Sequence, residues 1–217
     1  MVGIEVGYGC RAMKIKVYIF ILLISSSINF LFAESHSVKE NFGKEFEQAV
    51  KNVESKNFTV AVKEFTSLAY KNLPEAQFNL SLLYFNGLGT PKNFKSALYW
   101  SWQAHLNGHG TAKVQVEKTY DSITEDLRNV VASEVIDELL AASKAGDQLS
   151  ALKLGQTFTD LLVVPDYKAA YVWLSIAQAY GLDGASELLS VASKQLTVED
   201  ILLQQDQAAI IFSEITK

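Results

Sequence analysis

AQFNLSLLYFNGLGTPKNFKSALYWSWQAHLNGH, residues 76–109, decides how the chain folds. Ala76, Leu80 and Tyr84 fall at helical spacing and make one apolar stripe, and Phe94, Ala97, Trp100 and Ala104 make a second. Between them stands Gly87-Leu88-Gly89-Thr90-Pro91, a turn whose glycines supply positive backbone angles. Asn93 is placed to cap the second helix and Gly108 to end it. Small alanines let two helices approach while the aromatics fill the gaps between them, so the stretch predicts a helix–turn–helix unit.

A second copy begins near Ser150. Leu154-Gly155 and Phe158 lie on its first helix; Pro165, Asp166-Tyr167, Ala170, Trp173, Ala177 and Gly181 follow on its turn and second helix. Its turn has lost the glycines and carries Leu161, Leu162, Val163 and Val164 instead, a loop expected to pack into the core or against a partner. Upstream, Asn57-Phe58, Ala61, Phe65, Leu68, Ala69 and Asn72 repeat the second-helix pattern about 36 residues earlier, with Asn57 read as a helix cap. Pro74 opens the next helix, where a missing amide costs least, and a helix from about Val38 to Val53 precedes the array. A longer period overlies this one. Trp100 and Gly108 recur as Trp173 and Gly181 about 73 residues on, each followed by a further helix pair. The second members of those pairs start at Thr124 and Thr197, good caps with Glu125 and Asp126, or Glu199 and Asp200, in the first turn.

The pattern closely resembles the Sel1-like repeat, a branch of the tetratricopeptide superfamily, with Ser81 at a family glycine, Asn93-Phe94 at its Asp-Tyr and His105 at its second alanine. The resemblance implies an all-α fold: an α-solenoid of tetratricopeptide/Sel1-like helix pairs with extra packing and capping helices. The expected units are about 38–73, 74–109 and 147–182, with helices over 110–145 and 183–216 packing and capping them.

A chain of 217 residues that is 49% hydrophobic and 20% charged has the composition of a folded domain. Its start differs. Lys14 and Lys16 precede the apolar run Val17 to Ile24, three serines and a second apolar stretch ending at Ala33, the layout of a signal peptide over 13–33. An uncleaved signal anchor is the alternative, since the apolar segment is about long enough to span a bilayer. Residues 1–12 then form an upstream extension ahead of Met13. Both readings carry the rest of the chain across a membrane, to the periplasm or beyond it in a bacterial envelope. Cys10, the only cysteine, lies ahead of Met13, so the exported part has no internal disulfide and no thiol nucleophile. Residues 1–33 hold three of the 19 basic and one of the 24 acidic groups, which leaves 16 against 23, a net charge near −7. Nucleic acid, which draws its affinity from clustered Lys and Arg, is an unsuitable partner.

Catalysis finds little to work with. The histidines are His36, His105 and His109; the last two are four apart, but no Glu follows His105 as a zinc protease motif requires, and Gly108 breaks the helix between them. Gly87 to Lys92 lacks the spacing and Gly-Lys-Ser/Thr ending of a phosphate loop. No catalytic residue, metal or cofactor is expected. What remains is surface. Stacked helix pairs line a concave face with their first helices, and such faces bind peptides or partner helices. Asn79 and Leu83 in one unit and Lys153 and Gln156 in the other are the candidate contacts. Tyr99 and Trp102 flank a buried Trp100 and serve either as interface anchors or as inter-repeat packing. The chain is thus expected to be an exported scaffold for a protein or peptide partner. An envelope hydrolase of cell-wall or β-lactam-like substrates and a membrane-anchored structural array are the alternatives.

Overall fold

The computed structural model describes residues 42–217; the expected leader, His36 and the start of the first helix lie outside them. Helix α1 is described over 42–54. There follow α2 (Phe58–Ala69), α3 (Pro74–Asn86), α4 (Phe94–Leu106), α5 (Ala112–Tyr120), α6 (Glu125–Lys144), α7 (Leu149–Asp160), α8 (Tyr167–Ala179), α9 (Ala185–Ser193) and α10 (Val198–Ile215). The described residues contain no strand.

The helix ends obey local chemistry. Pro74 occupies the first turn of α3, and Gly87 ends it in the left-handed region at φ 71°. Asn93 Oδ1 accepts from Ser96 N at 3.0 Å, Asp166 Oδ1 from Ala169 N at 2.9 Å, Thr124 Oγ1 from Leu127 N at 3.2 Å and Thr197 Oγ1 from Asp200 N at 3.1 Å. Each satisfies one of the amides that a helix start leaves without a partner. Asn57 is a correction. It stands at the N-cap position of α2, but its side chain caps no amide and instead donates to Asn52 Oδ1 at 3.5 Å.

Helices α3 and α4 pack as an antiparallel pair, as do α7 and α8, and α2 leans on α3. Around each pair the same pattern recurs: α5 packs on α4 as α9 packs on α8, and α6 packs on α4 as α10 packs on α8. Helix α6 also carries α7, which joins the two blocks into one array. The apolar stripes read from the sequence are the seams of these pairs. Ala76, Leu80, Ala97 and Ala104 are fully buried, as are Ala151, Leu154, Ala170 and Ala177.

One core cluster joins α1 to α4 around Phe65, Leu68, Leu80 and Trp100, and a larger one runs from α4 to α10 around Trp102, Val131, Leu154 and Ile176. The glycine-free loop does two things at once. Leu161 enters the larger core, whereas Val164 faces out with 78% of its surface exposed. Arg128 of α6 holds the loop's start. Its Nε donates to Leu161 O at 2.7 Å, its Nη2 to Asp160 O and Leu162 O at 3.0 Å each, and its guanidinium lies 3.9 Å from the centre of the Tyr120 ring.

Candidate protein-binding surface

Helices α4 and α6 run side by side, and both repeat at four residues along the facing edges. Lys95 pairs with Glu134, and one turn further the Tyr99 hydroxyl donates to Glu138 Oε2 at 2.8 Å. Gln103 Nε2, a turn beyond Tyr99, donates to the same carboxylate oxygen at 3.2 Å. These residues, Gln103 apart, line a groove of about 460 Å³ together with Tyr70 and Tyr84 from the α2–α3 side and Trp100 and the N-cap Asn93 from α4.

The groove wall is aromatic and preorganised. Trp100 is buried, and the rings of Tyr70 and Tyr99 meet it edge-on at 5.1 and 5.0 Å between centroids, with interplanar angles of 86° and 87°. Tyr70, at the end of α2, still leaves 73% of its surface to solvent. Burial first, then the hydrogen bond and the charge of Glu138, push the Tyr99 phenol far above its ordinary pKa, so it stays a neutral donor to that carboxylate. A tyrosine already packed on a buried tryptophan loses less side-chain entropy than a free one when a partner covers it.

Of the six residues expected at a surface, Tyr99 alone takes part in this groove. Leu83 is a correction: only 4% of it is exposed, and it belongs to the α1–α4 core. Trp102 resolves toward packing. It is 1% exposed, and its indole N–H donates to Thr157 Oγ1 of α7 at 3.2 Å. Asn79 is half-buried, and its Nδ2 donates to Glu75 O within its own helix at 2.8 Å.

Lys153 is also tied inward. Its Nζ donates to Asn107 Oδ1 at 2.8 Å, Asn107 Nδ2 to Gln77 Oε1 at 2.9 Å, and Gln77 Nε2 to Ala69 O at 3.1 Å. Burial holds the Lys153 ammonium below its usual pKa, with Asp147 opposing the shift. This chain of amides links α2, α3, α4 and α7, a brace between repeats. Gln156 is half-buried beside it.

The two described histidines go separate ways. The His109 ring stacks on Phe78 at 4.1 Å, and His105 sits 5.1 Å from Trp102, where burial foremost and the Lys113 charge second lower its pKa against the pull of Asp160. Among the described residues no group of three or more His, Cys, Asp or Glu is placed to hold a metal ion.

Tyr70, Glu134 and Glu138 were not singled out in the sequence. The four-residue spacing shared by Lys95 and Tyr99 with Glu134 and Glu138 is visible there. The 39-residue separation between partners, however, is invisible until α4 and α6 are docked.

An array of antiparallel helix pairs defines the class of the protein, an α-solenoid. Residues 74–109 and 149–177, which hold α3–α4 and most of α7–α8, match the Sel1 repeat. Proteins with such repeats generally serve as scaffolds for protein–protein interaction.

Two solved structures are similar to it. One is a Sel1 repeat protein from Oxalobacter formigenes, 21% identical over 77% of this chain and 72% of that one, with a TM-score of 0.36. The other is a protective antigen present in uropathogenic Escherichia coli strains that displays an SLR fold, 18% identical over 71% of this chain and 40% of that one, with a TM-score of 0.31. Both overlays are loose, and the architecture rests on the helix pairing described above. No curated protein matches the chain.

Proposed function

We propose that this chain is an exported scaffold that docks a segment of another protein in the groove between α4 and α6. The observation that carries the reading is the aromatic wall: Tyr70 and Tyr99 set edge-on against buried Trp100, beside carboxylates, on a repeat whose family generally mediates protein–protein contacts. Export is supported by the basic start, apolar centre and small exit residue over 13–33, residues that lie outside those described. Among the described helices none is long and apolar enough to cross a membrane, so in this proposal any anchoring falls to the leader. The hydrolase alternative is not favoured: His105 and His109 are packed against separate aromatic rings, and Thr111 Oγ1, beside His109 Nδ1, stands off at 3.5 Å.

The test is crosslinking in the native cells with a tag after Lys217, comparing the unaltered chain with Tyr70→Ala and with the Lys153→Ala, Gln156→Ala pair. Loss of a reproducible partner from the Tyr70→Ala protein, at unchanged melting temperature, supports the groove. Retention of the partner by Tyr70→Ala together with its loss from the Lys153/Gln156 variant moves docking to the α7 face. The mass of the captured chain checks export: a start near Glu34 means the leader is cleaved, and a start at or before Met13 means it anchors the protein.

A further inference from the structure

The groove has a charge as well as an aromatic wall, and the two together select an occupant. We infer that the segment bound between α4 and α6 is basic, with an Arg or Lys side chain seated between the rings of Tyr70, Tyr99 and Trp100 and the carboxylate of Glu138. This inference rests on the docking function proposed above and names the chemistry of the partner.

Three observations carry it. The first is unequal neutralisation. Glu134 has Lys95 as a partner, but Glu138 receives only the neutral donors of Tyr99 and Gln103, and among the described residues it makes no salt bridge. A carboxylate held in place by neutral donors keeps its full charge for a cation that arrives from outside. The second is the wall opposite that carboxylate. The exposed ring of Tyr70 and the edge-on pair of Tyr99 and Trp100 present electron-rich surface, to which a guanidinium or ammonium is drawn while its aliphatic stem covers the rings.

The third is the surface that continues from the groove along α6. A shallower trough of about 460 Å³ adjoins it through Glu134 and is lined by Asp126, Asn129, Val130, Ser133 and Asp137. Asp137 and Glu138 stand three and four residues after Glu134, and Lys95 is the one cation that pairs with this run of acids among the described residues. Asp126 and Asp137 make no salt bridge among the described residues either. An extended segment with basic residues at intervals would meet a carboxylate in each trough, Glu138 in one and Asp126 or Asp137 in the other. A neutral or acidic segment would bury these charges without compensation. An anionic lipid surface would be repelled outright.

Fluorescence anisotropy with the purified full-length chain provides the test. One probe is a labelled nonapeptide with arginine at alternate positions among alanines, and the other is its twin with citrulline at those positions, equal in shape and uncharged. The arginine peptide is expected to bind about tenfold or more tightly than its twin, with affinity falling as salt is raised. Glu138→Gln and Tyr70→Ala should each weaken it about tenfold, and Glu187→Gln on distant α9 should leave it unchanged. Equal binding of the twins, no binding of either, or indifference to both groove variants would overturn the basic occupant.

A photoactivatable phenylalanine placed at position 70 in native cells separates the two claims. A crosslink to a basic segment supports both claims. A crosslink to a neutral or acidic segment leaves the groove as a docking surface and overturns its proposed chemistry. A chain that crosslinks from position 156 and not from position 70 overturns the groove itself.

Discussion

The turn from α3 to α4 and the turn from α7 to α8 join equivalent helices, and they are held by different forces. In the first, backbone freedom suffices: Gly87 and Gly89 stand at φ 71° and 74°, and Gly87 N and Leu88 N both donate to Leu83 O, at 2.9 and 3.0 Å. In the second, leucine and valine replace the glycines, and the carbonyls of Asp160, Leu161 and Leu162 are gathered by one Arg128 side chain from α6. A repeat that loses its special backbone residues can therefore keep its shape if a neighbouring helix clasps the loop's carbonyls. The cost is dependence on that neighbour. The first turn is shaped by its own glycines and presses on α2 at Gly89, and the second is clasped by a side chain from α6.

The contrast can be broken from both sides. The largest effect belongs to Gly89, because a Cβ there would stand 2.3 Å from both the carbonyl carbon and the oxygen of Phe58, and φ is already left-handed. Gly89→Ala should cost about 3 kcal/mol, read from chemical denaturation, since α2 must move away. A loss under about 1 kcal/mol would mean that α2 gives way freely.

Arg128→Met keeps the stem over Tyr120 and removes the donors, and should cost about 2 to 3 kcal/mol. Amide exchange should rise in residues 161–166 and stay unchanged in 87–92. Equal changes in both turns would refute the division drawn here.

The helix seams differ in the same compensating way. Gly155 meets Leu174, whose Cγ and Cδ2 lie 2.4 Å from where a Cβ would stand, whereas the equivalent positions in the first unit hold two buried serines, Ser81 and Ser101. Gly155→Ala should cost about 2 kcal/mol by overpacking. Paired with Leu174→Ala, it should cost less than the sum of the two single changes by about 1 kcal/mol in a double-mutant cycle. Strict additivity would mean that the two side chains do not share the space.

The smallest expected effect is on pH dependence. His105 of α4 stands where α8 carries Gln178, and its pKa is lowered, mainly by burial. Below about pH 6.5 the unfolded chain therefore takes up a proton that the folded chain resists, so stability falls as pH drops through that region. His105→Gln makes the first block like the second and should flatten the melting temperature between about pH 5 and 7. A variant as acid-sensitive as the unaltered chain would assign the effect elsewhere.

The buried stripes were legible because a helix shows a neighbour the same face every three to four residues: Ala76 and Leu80, or Ala97 and Ala104, lie where that period puts them. Leu83 was misplaced against that same period. Leu83 stands seven residues after Ala76 and three after Leu80, so the period that buries that stripe buries it too, in the core shared by α1 to α4. Trp102 differs: it lies on α4, whose far side faces the core shared with α5, α6 and α7. In an array every internal helix has two sets of neighbours, and periodicity alone shows only the stronger.

By itself the sequence determined the helices, their caps at Asn93, Thr124, Asp166 and Thr197, the pairing into Sel1 repeats and the 73-residue recurrence of the two blocks. These are local facts, set by spacing, propensity and side-chain reach within a few residues. The tertiary structure decided the rest: Arg128 as the clasp of the carbonyls from 160 to 162, the brace from Lys153 through Asn107 to Gln77, and the ladder of Lys95 and Tyr99 on Glu134 and Glu138 that lines the groove. Each of those joins residues 30 or more positions apart, and side chains so distant meet only after the hydrophobic seams have fixed how one helix lies on the next.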